Sequence, residues 1–339
     1  MEEIVNLTLR STLIAAAVLA SSVPAMANKD YVMMTASTGG TFHPVGVAIA
    51  TMSKVKLQPK EGFSLTAVNS AGSGANLQAM ASGNADFSIL QGLFGAYAAE
   101  GSGPFQKPLT NVRSITMLWE NVEHFLIANK YVKTGTVIDI LNAKGQAAGF
   151  GAKNSGTLGS NKELLSKLGL DLEKDFNLVY AGYGPTADAL ANGQIAVASI
   201  PSGPPAGAVT KLLATNSGDV TMLSVTDDEM KKMDGGRDLW TRYVIKAGTY
   251  PGQDKDFQTI GQPNILAVNA DVSEDHVYKL TKAIYENLPF LNAIHPATKD
   301  MALEKAIKGL PLPLHPGALR YFREQGVKIP DRLIAKGDK

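Results

Sequence analysis

Two short runs of small and hydroxylic residues carry the chemistry of this chain. Ser37-Thr38-Gly39-Gly40-Thr41 and Lys153-Asn154-Ser155-Gly156-Thr157 stand 116 positions apart, each where an apolar run gives way to a helical pattern. Glycine lets backbone approach a ligand closely, and a helix that starts there offers unpaired N–H groups and the positive end of its dipole. Serine and threonine beside it cap the helix or donate to a bound group. This is the chemistry of holding an anion rather than of breaking bonds. A second device repeats as well: residues 71–90, AGSGANLQAMASGNADFSIL, return at an offset of 110 as AGYGPTADALANGQIAVASI, with six identical positions. Each copy reads as a Gly-rich turn, a short helix, a Gly stop and an apolar strand. Self-similarity at a fixed offset reports architecture, so four such helix N-termini, two per half, imply two α/β lobes facing one cleft.

Reactive groups in catalytic spacing are missing. The five histidines are scattered, without H-E-x-x-H or metal-ligand spacing; no G-x-S-x-G elbow occurs, no Gly-Lys dipeptide, and neither Gly72-x-Gly74 nor Gly182-x-Gly184 completes G-x-G-x-x-G. The reading is therefore not an enzyme, with no catalytic residue, no metal and no cofactor. Net charge is +1, which gives no electrostatic case for nucleic acid. There is no cysteine, which excludes disulfides and thiolate metal sites.

The elements that must position the turns follow from periodicity. Strands are expected at 31–36, 63–70, 113–120, 122–129, 147–151, 176–180, 220–225, 242–249 and 264–269, with helices between most of them. The best helix is 273–288, where Ser273 caps and Val277, Leu280, Ile284 and Leu288 recur at three- and four-residue steps. A last helix within 315–326 presents Leu319 and Phe322 for docking on the first lobe. Alternating βα units with two chain crossings describe two doubly wound lobes joined by a hinge. The expected division is lobe I at 28–127 and 256–339, and lobe II at 128–255.

The N-terminus reads as an export signal over residues 1–27. STLIAAAVLA is an apolar region too short to span a bilayer, and Ala25-Met26-Ala27 is an A-x-A site for cleavage after Ala27. A soluble exported chain fits the periplasm of a Gram-negative bacterium.

The ordered motifs TGGTFHPVG (38–46), the G-S-x-x-N run at 72–86, Ser155-Gly156-Thr157, GTYPGQ (248–253), Val277-Tyr278-x-Leu280-Thr281-Lys282 and LHPGA (314–318) resemble the TAXI-type solute-binding proteins of tripartite ATP-independent periplasmic (TRAP) transporters. The match covers nearly the whole mature chain. The resemblance implies a periplasmic-binding-protein type II fold, closure around one ligand, and delivery to integral membrane permease subunits driven by an ion gradient. It implies a small carboxylate ligand such as glutamate, a related amino acid or 2-oxoglutarate. Carried over, the ligand-facing positions are Gly39, Gly40, Thr41 and Phe42, then Ser73 and Asn76, then Ser155, Gly156 and Thr157. Gln91, at a strand's C-terminal end, and Ser202 with Gly203 after the second copy complete the set. Asn76 and Gln91 either meet the ligand or brace loops. Lys153 is either the cation that selects an anion or a solvated loop lysine. His43 stands where the family usually has an aromatic. A monomer is expected. The alternative to a transport receptor is a ligand sensor docking on a sensor-kinase ectodomain.

Overall fold

Short runs that are apolar on nearly every position, such as Phe87–Gln91, which is buried throughout, suit parallel strands covered on both faces. In the computed structural model, which describes residues 28–216 and 218–337, they build two sheets. The first contains β1 (Lys29–Met34), β2 (Phe63–Val68), β3 (Phe87–Gln91) and β4 (Val112–Val122). The second contains β5 (Phe125–Ala128), β6 (Ala147–Gly149), β7 (Asn177–Leu178), β8 (Val197–Ser199) and β9 (Val220–Leu223), in the order β7-β6-β8-β5-β9. The chain then returns to the first sheet with β10 (Thr241–Ile245) and β11 (Phe257–Asn269), completing the order β10-β11-β3-β1-β2 with β4 also on β11. The signal-peptide reading falls on residues outside those described.

The two halves share one plan. In the first sheet β1 pairs in parallel with both β2 and β3; in the second β6 pairs in parallel with both β7 and β8. Strand–turn–helix–strand units fill both, and the helices that follow β2 and β7, Ser73–Ala81 and Tyr183–Ala191, keep the offset of 110 read in the sequence. This is the expected mixed α/β fold with two sheets and a cleft between them.

Sheet membership differs from the expected lobe division at two places. Phe125 already pairs with Ser199 in the second sheet, and Thr241–Ile245 pairs antiparallel with β11 in the first. The return path thus lies between β9 and β10, before GTYPGQ. The reason is that a five-residue strand of mixed character can edge either sheet. The partner is decided by β11, whose length exceeds what β4 and β3 alone cover. Two other expectations also shift. Residues 136–142 form a 3-10 helix over Val137–Ala143, and the helix at 273–288 is divided at Asn287 into Glu274–Glu286 and Leu288–Ile294. Leu319 and Phe322 are buried on the helix Pro316–Glu324.

Between β4 and β5 only Glu123 and His124 connect the sheets, and both are fully buried. Their backbone is tied on both sides: Glu123 N–H donates to Ile260 C=O, Thr259 Oγ1 to Glu123 C=O, and Ile200 N–H to His124 C=O. The GTYPGQ turn serves this crossing, since Tyr250 O–H donates to His124 Nε2 at 2.7 Å and accepts from Ala206 N–H.

Candidate functional site

All four Gly-rich turns meet at one place. A cavity of about 30 Å³ is lined by Ser37 and residues 40–42, by 71–73, by Ala152 and 155–157, and by 181–183, closed by Gln91 and by Pro201 with Ser202. Four helices therefore point their N-termini into it: Phe42–Lys56, Ser73–Ala81, Gly156–Ser166 and Tyr183–Ala191. Each arrives there for the same local reason, a parallel strand ending in a turn of small residues that the following helix leaves at once. Ser155 caps its helix, with Oγ accepting from Leu158 N–H at 3.0 Å. The lining holds no Lys or Arg, so the positive potential comes from helix ends and backbone N–H groups, each end carrying roughly half a charge.

The turns of one sheet touch those of the other. Thr41 Oγ1 lies 2.9 Å from Ser202 Oγ and donates to Gly203 C=O, while Ser202 Oγ accepts from Thr41 N–H. Tyr183 N–H donates to Ser37 Oγ, and the Tyr183 hydroxyl donates to Pro201 C=O and lies 2.7 Å from Thr157 Oγ1. Burial holds the Tyr183 hydroxyl above its ordinary pKa, with the Thr157 hydrogen bond partly offsetting it, so Tyr183 stays a neutral donor. At two positions the approach requires glycine. A β-carbon at Gly40 would lie 2.8 Å from the Tyr183 ring, and one at Gly156 would run into Gln91 Oε1 and Ser73 Oγ. Gln91 is 3% exposed, and its Oε1 is a buried acceptor with no hydrogen-bond partner among the described residues. A ligand with a donor would satisfy it.

Of the thirteen residues expected to bind, Gly40, Thr41, Phe42, Ser73, Gln91, Ser155, Gly156, Thr157 and Ser202 line the cavity. Gly39, Asn76, Lys153 and Gly203 do not. Asn76 braces the first sheet: Nδ2 donates to Thr35 and Ile89 carbonyls, and Oδ1 accepts from Ser70 Oγ at 2.6 Å. Lys153 is exposed, its ammonium 5.1 Å from the Tyr180 ring centroid. Gly39 and Gly203 contribute carbonyls to Ala208 N–H and Thr41 Oγ1. His43 turns back to Thr35 Oγ1 at 3.0 Å. Sequence reasoning passed over Tyr183 and Gly182 as lining residues. The signal was present, because the 110-residue offset aligns them with Ser73 and Gly72.

Beneath Tyr183 the crossing holds two titratable groups. Burial pushes the Glu123 carboxyl up to about 8; the nearby Trp240 indole offsets part of this, although neither group is in hydrogen-bond geometry. Burial pulls His124 down to about 4, so it is a neutral ring, Nδ1–H donating to Ile200 C=O and Nε2 accepting from Tyr250.

Comparison with solved structures places the fold. A binding-protein component of an ABC phosphonate transporter from Pseudomonas aeruginosa aligns with TM-score 0.52 at 14% identity over 79% of this chain and 78% of its own. PhnD1 from Prochlorococcus marinus, in complex with methylphosphonate, gives 0.52 at 14% identity over 80% and 90%. A Bordetella bronchiseptica protein gives 0.52 at 17% identity over 90% and 91%. The architecture is that of periplasmic solute-binding proteins. No helix among the described residues is long and apolar enough to cross a membrane. Residues 33–326 match the model of the NMT1-like family, and this chain belongs to that family.

Proposed function

We propose that this protein is a periplasmic solute receptor of a TRAP transporter that binds a small carboxylate by closure of its two halves and delivers it to integral membrane permease subunits as a monomer. The observation that carries the reading is the convergence of four helix N-termini, with Gln91 and Tyr183, on one gap of about 30 Å³, which admits a ligand of glutamate size only when the two halves part. Those N-termini supply partial positive charge and N–H donors to an anion. Because the wall has no Lys or Arg, the anion is held by N–H donors and helix ends, which suits a carboxylate better than a phosphonate, a group that favours bidentate cationic partners. Gln91 Oε1 would take a donor from the ligand, as an amino acid provides.

The family match supports a solute-binding role in transport. Among the similar structures one is a component of a phosphonate transporter and one holds methylphosphonate; such anions share with a carboxylate the need for N–H donors. A thermal-shift screen of residues 28–339 against amino acids, 2-oxo acids, dicarboxylates and phosphonates decides among them, because a ligand that binds only the folded state must raise Tm. Glutamate or 2-oxoglutarate should shift Tm, and Ser155→Ala with Thr157→Val should abolish the shift. A response confined to phosphonates overturns the carboxylate assignment.

A further inference from the structure

A second cavity, of about 410 Å³, lies on the far side of residues 154–155 and Gly74 from the cleft. Its volume falls in the range of small-molecule pockets, roughly 300–1,000 Å³, and its wall sets three aromatic rings and Leu158 beside the polar Gln78, Asn154, Ser155, Lys162 and Glu163. Phe94, Tyr97 and Phe105 come from the first half of the chain and Leu158 with Lys162 from the second. Phe94 and Tyr97 are buried and stand edge to face at 5.6 Å. Two ionic side chains belong to the wall. Glu163 is committed, Oε2 accepting from Tyr97 O–H at 3.1 Å and Oε1 from Arg237 Nε at 3.0 Å. Among the described residues Lys162 pairs with the exposed Glu173 carboxylate, which is outside this wall. Arg237 already lies over the Tyr97 ring at 5.4 Å, so the wall offers the half-buried Phe105 and Leu158, the margins of buried Phe94 and Tyr97, and the exposed Lys162 ammonium, whose present ion pair is of little energetic worth.

We propose that this cavity is a binding site for a single-ring aromatic acid, the ring held by Phe94, Tyr97, Phe105 and Leu158 and the carboxylate by Lys162. Its walls belong to both halves of the chain, so an occupant resists their separation and tightens binding in the cleft; this coupling alone rests on the closure proposed above.

The site itself is tested without any cleft ligand. Benzoate and benzamide are titrated by calorimetry into residues 28–339, into Lys162→Gln, into Gln78→Trp, which narrows the mouth from an exposed position, and into Thr157→Val, which alters the cleft only. Benzoate should bind at one site about tenfold more tightly than benzamide. That preference should vanish in Lys162→Gln, both compounds should weaken in Gln78→Trp, and Thr157→Val should change neither. No saturable benzoate binding up to about 10 mM overturns the proposal, as does binding that Thr157→Val removes and Lys162→Gln leaves intact. Failure of benzoate to tighten cleft binding, with its own site intact, counts against closure and not against the second site.

Discussion

The Tyr183 ring packs so close to Gly40 that a β-carbon at position 40 would sit 2.8 Å from two of its ring atoms. The two residues belong to opposite halves, Gly40 before the helix Phe42–Lys56 and Tyr183 at the start of Tyr183–Ala191. Gly40→Ala should therefore hold the halves apart. The expected outcome is a loss of about tenfold or more in cleft affinity, with a circular dichroism spectrum like the parent's. An alanine variant that binds normally would show that this contact is not part of the bound state.

The pair at the crossing should give stability a particular pH profile. Glu123 keeps its proton up to about 8 when folded and loses it near 4.5 when unfolded. Its contribution is fully present below about 4.5 and is lost as pH rises through 8. His124 acts in the other sense. Its ring charges near 6.5 when unfolded and only at about 4 when folded, so stability is present above 6.5 and lost as pH falls through 4. Between about 4.5 and 6.5 the two slopes oppose each other. From 6.5 to 8 the Glu123 slope remains, on the order of 2 kcal/mol at 1.36 kcal/mol per unit. Glu123→Gln should abolish that decline and uncover a rise between about 4 and 6.5, read from urea midpoints against pH. An unchanged profile would refute the assignment.

Asn76 braces the scaffold and does not meet the cavity. Replacing it by alanine at this fully buried position takes the amide donor from the Ile89 carbonyl and leaves the Thr35 carbonyl with the Ser70 hydroxyl in place of two donors. A cost of about 2–4 kcal/mol in unfolding free energy is expected. Selectivity among ligands should stay as in the parent, measured as ratios of Kd.

Lys153 sits outside the lining with its ammonium over Tyr180. Lys153→Ala should leave cleft affinity within about twofold, because an exposed cation near an aromatic ring is worth little to a site it does not touch. A tenfold loss on titration would mean that Lys153 swings onto the ligand.

Much of this protein was legible along the chain because its information is local. Glycine and hydroxyl turns between an apolar strand and a helix announce themselves within five residues, and the repeat at an offset of 110 showed that the halves share a plan. Four helix N-termini around one cleft followed from that alone. What the chain could not show is which of the polar residues near those turns face inward. Asn76 and Ser73 are three residues apart, yet one spends its amide on Thr35 and Ile89 while the other lines the cavity. That outcome depends on where β1 and β3 lie beside their helix, which is a matter of packing. Sheet membership of Thr241–Ile245 was equally undetermined, since a short strand takes whichever edge β11 leaves open. The contacts of Tyr183 with Gly40, and of Gln91 with Gly156, join residues that no local pattern relates. They exist because the two crossings of the chain, at Glu123 and His124 and between β9 and β10, set one half against the other.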